Sequence, residues 1–151
     1  MNDQEKIIAI GCDPNAAAMK NELIPYIESL GYHCKDFGGE TPIYANTAIE
    51  LAEYVAREKG MRGILICGTG IGVCIAANKV PGAYAALVCN AYQAQRACLS
   101  NNANIITLGA QVTGIELAKL MVKEYLSCEF DPNSRSAEKI QRIYDYERDH
   151  Q

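Results

Sequence analysis

The chain has 151 residues, of which 49% are hydrophobic and 21% charged, with a formal net charge of −4. That length and apolar content suit a single domain over 1–151 with one sizeable core, and the charge balance gives no footprint for nucleic acid or an acidic membrane. The expected partner is a small molecule. The opening MNDQEK has no basic leader, and the apolar IIAI after it is too short for a signal segment or a membrane span, so a cytoplasmic location is expected. Seven cysteines without a C-x-x-C pair argue against a disulfide framework or a zinc site. Only two histidines, His33 and His150, are present to support a transition metal.

Apolar β-favouring runs alternate with helix-like segments, which predicts an α/β fold: a parallel sheet with helices on both faces. Strands are expected at Lys6 to Gly11, His33 to Asp36, Gly63 to Ile66, Tyr84 to Val88 and Asn104 to Leu108. The first helix, Asn15 to Leu30, follows Asp13-Pro14 and ends at Gly31, a cap, first-turn proline and terminal glycine in the usual order. Further helices are expected at Tyr44 to Lys59, Gly70 to Lys79 and Ala91 to Leu99, and GAQVTGIELAKLMVKEYLSCEF reads as a loop and a long amphipathic helix. A polar terminal helix, about 136–148, offers little to its own core, so it is a candidate for packing on a neighbouring subunit.

Ligands of open parallel sheets bind beyond the carboxyl ends of the strands. There the sequence places Cys12-Asp13, the stretch Cys67-Gly68-Thr69-Gly70-Ile71-Gly72, Asn90 and Gly109 to Gln111. Glycines 68, 70 and 72 let backbone N–H groups approach an anion closely. The spacing matches neither a dinucleotide fingerprint nor a P-loop. A thiol beside peptide dipoles can become a thiolate, able to attack a carbonyl or to remove a proton from the carbon next to one. Nucleophilic use asks for a histidine partner, and neither histidine is well placed. Cys67 also reads as a small buried hydrophobe, like the other six cysteines, and Asp13 as a helix N-cap.

The stretches IAIGCD, GILICGTGIGVCIAANKVPG and SNNANIITLGAQVTGIELAK, in that order and with a terminal helix, resemble the ribose-5-phosphate isomerase B and galactose-6-phosphate isomerase family. The resemblance implies a Rossmann-like five-stranded sheet, a homodimer or homotetramer with sites at subunit interfaces, and cofactor-independent aldose–ketose isomerisation of a sugar or sugar phosphate. It makes Cys67 the base, puts the enediolate on the amides of Gly68, Gly70 and Gly72, and has Thr69 assist. Asp13 and Asn101 would bind sugar hydroxyls. Ser100 stands where the family carries a ring-opening histidine, and serine is a poor acid or base near neutral pH. Pro14 also stands where a histidine is common. Gln111 and Glu138 fall at or near positions of expected arginines, leaving Arg135 as the one cation in the corresponding terminal segment. Loss of bidentate guanidinium contacts weakens phosphate recognition. Two readings follow: an isomerase with altered substrate specificity, or a non-catalytic sugar-binding module or partner subunit of a heteromer.

Overall fold

The structure, a computed structural model, describes residues 6–151. Strands β1 (Ile7–Cys12), β2 (His33–Asp36), β3 (Arg62–Cys67), β4 (Ala85–Leu87) and β5 (Ile105–Gly109) form one parallel sheet in the order β2-β1-β3-β5-β4. The expected α/β architecture is what is observed. The helices are α1 (Ala17–Ser29), α2 (Tyr44–Arg57), α3 (Ile71–Ala77), α4 (Ala91–Leu99), α5 (Ile115–Leu126) and α6 (Ala137–Asp149).

Strand side chains alternate between two faces, and the core divides accordingly. Ile8, Ile10, Ile64, Ile66, Ile106 and Leu108 pack with Leu23, Met121, Val122 and Tyr125 from α1 and α5. On the other face Ala9, Leu65, Cys67 and Ile105 meet Leu51, Val55 and Val73 from α2 and α3. Most of these side chains are wholly buried, each worth roughly 1.5–3 kcal/mol over exposure. With both faces covered, the three central strands β1, β3 and β5 have no polar side to show and read as continuous apolar runs, whereas the edge strand β2, His-Cys-Lys-Asp, is largely exposed.

Two local expectations are corrected. The first helix is preceded by a separate 3-10 turn, Pro14–Ala16, and Asp13 makes no side-chain cap there. Helix α3 is only seven residues long. Its end is set by Asn78, whose Oδ1 accepts the Ala85 N–H at 2.7 Å and whose Nδ2 donates to the Ala85 carbonyl at 3.0 Å, closing part of the exposed edge of β4.

Helix α6 lies on its own chain. Ile140 is buried, the Tyr144 ring sits 5.1 Å from that of Tyr84, and Glu147 accepts from the Gly82 N–H and the Tyr84 hydroxyl. Ile143 and Tyr146 remain exposed.

Candidate active site

From β1 the chain moves outward to β2, whereas β3 lies on β1's other side, so a crevice opens at the carboxyl edge between β1 and β3. Cys12 pairs with Ile66, and the Asp13 N–H donates to the Ile66 carbonyl at 3.1 Å. Asp13 and Cys67 therefore leave adjacent strands at the same level.

Cys67 is 5% exposed, with its side chain on the α2–α3 face. The sulfur does not face hydrocarbon alone, because the Gly70 N–H donates to Sγ at 3.1 Å. Since α3 has only two turns, this one directed N–H, rather than a long helix dipole, is the polar influence on the thiol.

The loop that supplies it is held from several sides. Gly70 has φ +81°, and a Cβ there would lie 2.6 Å from Leu87 Cδ1 and 2.8 Å from the Leu108 carbonyl carbon. The Thr107 hydroxyl, fully buried, donates to the Gly70 carbonyl at 2.8 Å. The Ala110 and Gln111 N–H groups donate to the carbonyls of Cys67 and Gly68 at 2.8 and 2.9 Å. Thr69 Oγ1 accepts the Ile71 N–H at 3.2 Å, so it opens α3 while its hydroxyl hydrogen stays available.

Two neighbours narrow the loop's surroundings. The Gln111 carboxamide lies over Gly68, its Oε1 3.0 Å from where a Cβ would stand, and the Tyr44 ring crosses Gly72, where a Cβ would come within 2.5 Å of it. Tyr44 and Thr107 were not singled out from sequence. The signal available for Tyr44 was that Gly72 must be bare for something to lie on it.

Asp13 is 7% exposed, and its Oδ1 has no hydrogen-bond partner; Oδ2 has only a long contact of 3.5 Å from Asn15. An unsatisfied buried acceptor costs about 1–3 kcal/mol or more. It is an acceptor for which the chain itself supplies no donor among the described residues. Burial holds the Cys12 and Cys98 thiols above the ordinary thiol range and pushes Cys34 up to about 12.

Ser100, Asn101 and Arg135 stand elsewhere. All three follow helices that run back to the amino ends of the strands, across the sheet from Cys67. Ser100 Oγ accepts from Arg96 Nε at 2.7 Å, Asn101 lines a small pocket of about 250 Å³ with Tyr84, Ile140 and Tyr144, and Arg135 is exposed. One chain does not bring them to the thiol.

A larger cleft, about 820 Å³, also lies at the amino edge, lined in part by Arg62, Cys98, Asn104 and Cys128. Size alone would favour it. Two of its central polar side chains are already engaged, however: Arg62 donates to the carbonyls of Tyr125 and Cys128, and Asn104 donates to Gly82 O and accepts the Tyr84 N–H. Among the described residues, no three His, Cys, Asp or Glu side chains gather as a metal site, and no helix is long and apolar enough to cross a membrane.

The ribose/galactose isomerase family model matches residues 8–143. The chain is 45% identical to the D-erythrulose-4-phosphate isomerase of Pectobacterium atrosepticum, over 95% of this chain and 98% of that protein. It is 51% identical to D-erythrulose-4-phosphate isomerase 2 of Mycolicibacterium smegmatis, over 84% of this chain and 82% of that protein. The structure of Clostridium thermocellum ribose-5-phosphate isomerase B superposes with a TM-score of 0.89 at 37% identity, covering 96% of this chain and 99% of that one. The protein thus belongs to the ribose/galactose isomerase family and is an aldose–ketose isomerase of the ribose-5-phosphate isomerase B type.

Proposed function

We propose that the protein interconverts D-erythrulose 4-phosphate and D-erythrose 4-phosphate by proton transfer through Cys67. The observation that carries the chemistry is the Gly70 N–H donating to Cys67 Sγ at the edge of the β1–β3 crevice. The names borne by the relatives at 45% and 51% identity point to the four-carbon substrate.

The thiolate takes a proton from C1 of the ketose. The C1–H bonding pair becomes the C1–C2 double bond, and the carbonyl pair moves onto O2. Backbone N–H groups from Gly68 to Gly72 stabilise the resulting enediolate. The thiol then returns the proton to C2, while the hydroxyl proton moves from O1 to O2 with help from Thr69. Asp13 Oδ1 accepts a substrate hydroxyl. No atom is gained or lost.

Substrate chemistry accounts for Ser100. An aldose closes a stable ring through a hydroxyl on C4 or C5, and in erythrose 4-phosphate the C4 oxygen is esterified. The remaining hydroxyls could form only strained three- or four-membered rings. The sugar is open already, and a ring-opening histidine has no task.

Ser100, Asn101 and Arg135 then act in the site of a second copy, Arg135 supplying positive charge for the phosphate. That arrangement makes the homodimer the smallest complete enzyme, a homotetramer being a pair of such dimers.

The test is the purified chain alone, assayed with erythrulose 4-phosphate and with ribose 5-phosphate in deuterated water. A higher kcat/KM for the tetrulose phosphate, deuterium at C2 of the aldose, and a loss of about 100-fold or more in kcat for Cys67→Ala are expected. Equal or better turnover of ribose 5-phosphate overturns the substrate assignment, and unchanged turnover by Cys67→Ala overturns the base.

A further inference from the structure

We propose that Lys20 and Asp36 are positioning residues for Asp13, their ion pair holding the end of β1 and with it the unpartnered Oδ1 beside the crevice. The proposal rests on the reading above that Asp13 binds a substrate hydroxyl.

Folding alone gives little reason for Lys20 to be where it is. It is 7% exposed, three residues past the first residue of α1, where the helix dipole opposes a cation and burial penalises the ammonium. A methionine would fill the same space without either penalty.

Its head group makes a specific connection instead. Nζ donates to both oxygens of Asp36, at 2.8 and 3.1 Å. Asp36 Oδ1 also accepts the Gly38 N–H at 2.8 Å, and the Gly38 carbonyl accepts the Cys12 N–H at 3.1 Å. Gly39 lies so close to Cys12 that a Cβ on it would be 2.4 Å from Sγ and 2.6 Å from the Cys12 carbonyl oxygen. The peptide leading into Asp13 is therefore fastened by a turn that the Lys20–Asp36 pair fastens in its own right. Asp13 supplies the need: its carboxylate makes no cap, leaves Oδ1 unpaired and has only the long Asn15 contact at Oδ2, so its own side-chain bonds do little to fix its direction.

The experiment is a double-mutant cycle on the full-length protein with erythrulose 4-phosphate. Lys20→Met is expected to raise KM about tenfold with kcat within about twofold, and to add nothing further on an Asp13→Asn background. Lys20→Arg restores most of the loss. Additive effects of the two substitutions overturn the proposal, since a merely structural lysine acts without Asp13. Where Lys20→Met fails to fold, Asp36→Asn, which keeps an acceptor for the Gly38 N–H, takes its place in the cycle.

Amide hydrogen exchange gives a readout independent of turnover. The Cys12 N–H is expected to exchange about tenfold faster in Lys20→Met, with the β3 amides unchanged. Unaltered exchange at Cys12 overturns the proposal even if the wild-type enzyme proves inactive on tetrose phosphates. Such inactivity counts against the functional reading alone.

Discussion

Gly70 and Gly68 flank the same residue, yet their replacement by alanine should have opposite outcomes. At Gly70 two penalties combine. A Cβ residue held at φ +81° costs roughly 1–2 kcal/mol. The new methyl would also stand 2.8 Å from the Leu108 carbonyl carbon and 3.1 Å from the Gly109 nitrogen, backbone atoms of β5 that cannot turn aside. Overpacking of that kind adds about 1–3 kcal/mol, for a total of roughly 2–5 kcal/mol.

At Gly68 the nearest atom is Gln111 Oε1 at 3.0 Å, the end of an exposed and flexible side chain, and the backbone is not left-handed. Alanine there restricts the unfolded chain, a gain of about 0.4–1 kcal/mol that offsets the displacement of Gln111. Urea denaturation separates the two. With a slope of about 1–3 kcal/mol per molar, Gly70→Ala should move the midpoint down by at least about 0.7 M, and Gly68→Ala by less than about 0.5 M. Because Gly70 also carries the N–H that reaches Cys67 Sγ, its folded fraction should lose about 100-fold in kcat. A Gly70→Ala protein with the wild-type midpoint, or a Gly68→Ala protein that falls as far, would falsify the account of this loop.

Thr107→Val keeps the shape of the side chain but leaves the Gly70 carbonyl without its donor, so a loss of about 1–3 kcal/mol in urea unfolding is expected; an unchanged midpoint means water takes the donor's place. Co-refolding Cys67→Ala with Asn101→Ala should recover about a quarter of wild-type activity, since half the dimers are mixed and each carries one intact site of two. A site built within one chain recovers nothing. Burial alone would raise the Asp36 carboxyl, but the Lys20 hydrogen bond, the Gly38 N–H and the Lys20 charge outweigh it and hold the group below its ordinary value. The pair's stabilisation is thus present above the unfolded value of about 3.9 and lost as pH falls through the lower folded one. Asp36 is 43% exposed in its side chain, so this is at most about 1 kcal/mol, and Asp36→Asn should flatten that much of the acid limb in a pH series of urea melts.

The sheet was legible because its central strands β1, β3 and β5 are buried on both faces and read as short apolar runs; Ala91 to Leu99 was placed to the residue. The failures are of one kind. Asp13 looks like a cap in sequence, but the 3-10 turn at Pro14–Ala16 intervenes between it and the α-helix, and its carboxylate makes no cap bond. The end of α3 depends on Asn78 reaching Ala85, a bond seven residues on that local pattern does not announce. Tyr44, Thr107 and Lys20 occupy ordinary helix and strand positions. Their meaning comes from partners at Gly72, Gly70 and Asp36, 28, 37 and 16 positions away in the chain. Ser100, Asn101 and Arg135 stay apart from Cys67 because the fold of one chain sends them to the far edge.

The departures from folding rules are unevenly distributed. At the carboxyl edge of β1 and β3 a buried carboxylate lacks a partner, a lysine sits near the positive end of a helix, and a glycine adopts φ +81° against packed backbone. At the amino edge, beside the larger cleft, Arg62, Asn104 and Tyr125 each satisfy specific backbone groups; the exceptions are Ser134 Oγ, a neutral hydroxyl that costs less to leave unpaired than a carboxylate, and Asn102 at φ +49°, a conformation asparagine adopts more readily than most side-chain-bearing residues. A fold keeps costly arrangements only where something other than stability selects them. By that criterion the β1–β3 crevice is the better candidate for the chemistry, while beside the roomy cleft Arg62, Asn104 and Tyr125 tie down the chain's own loops and helix ends.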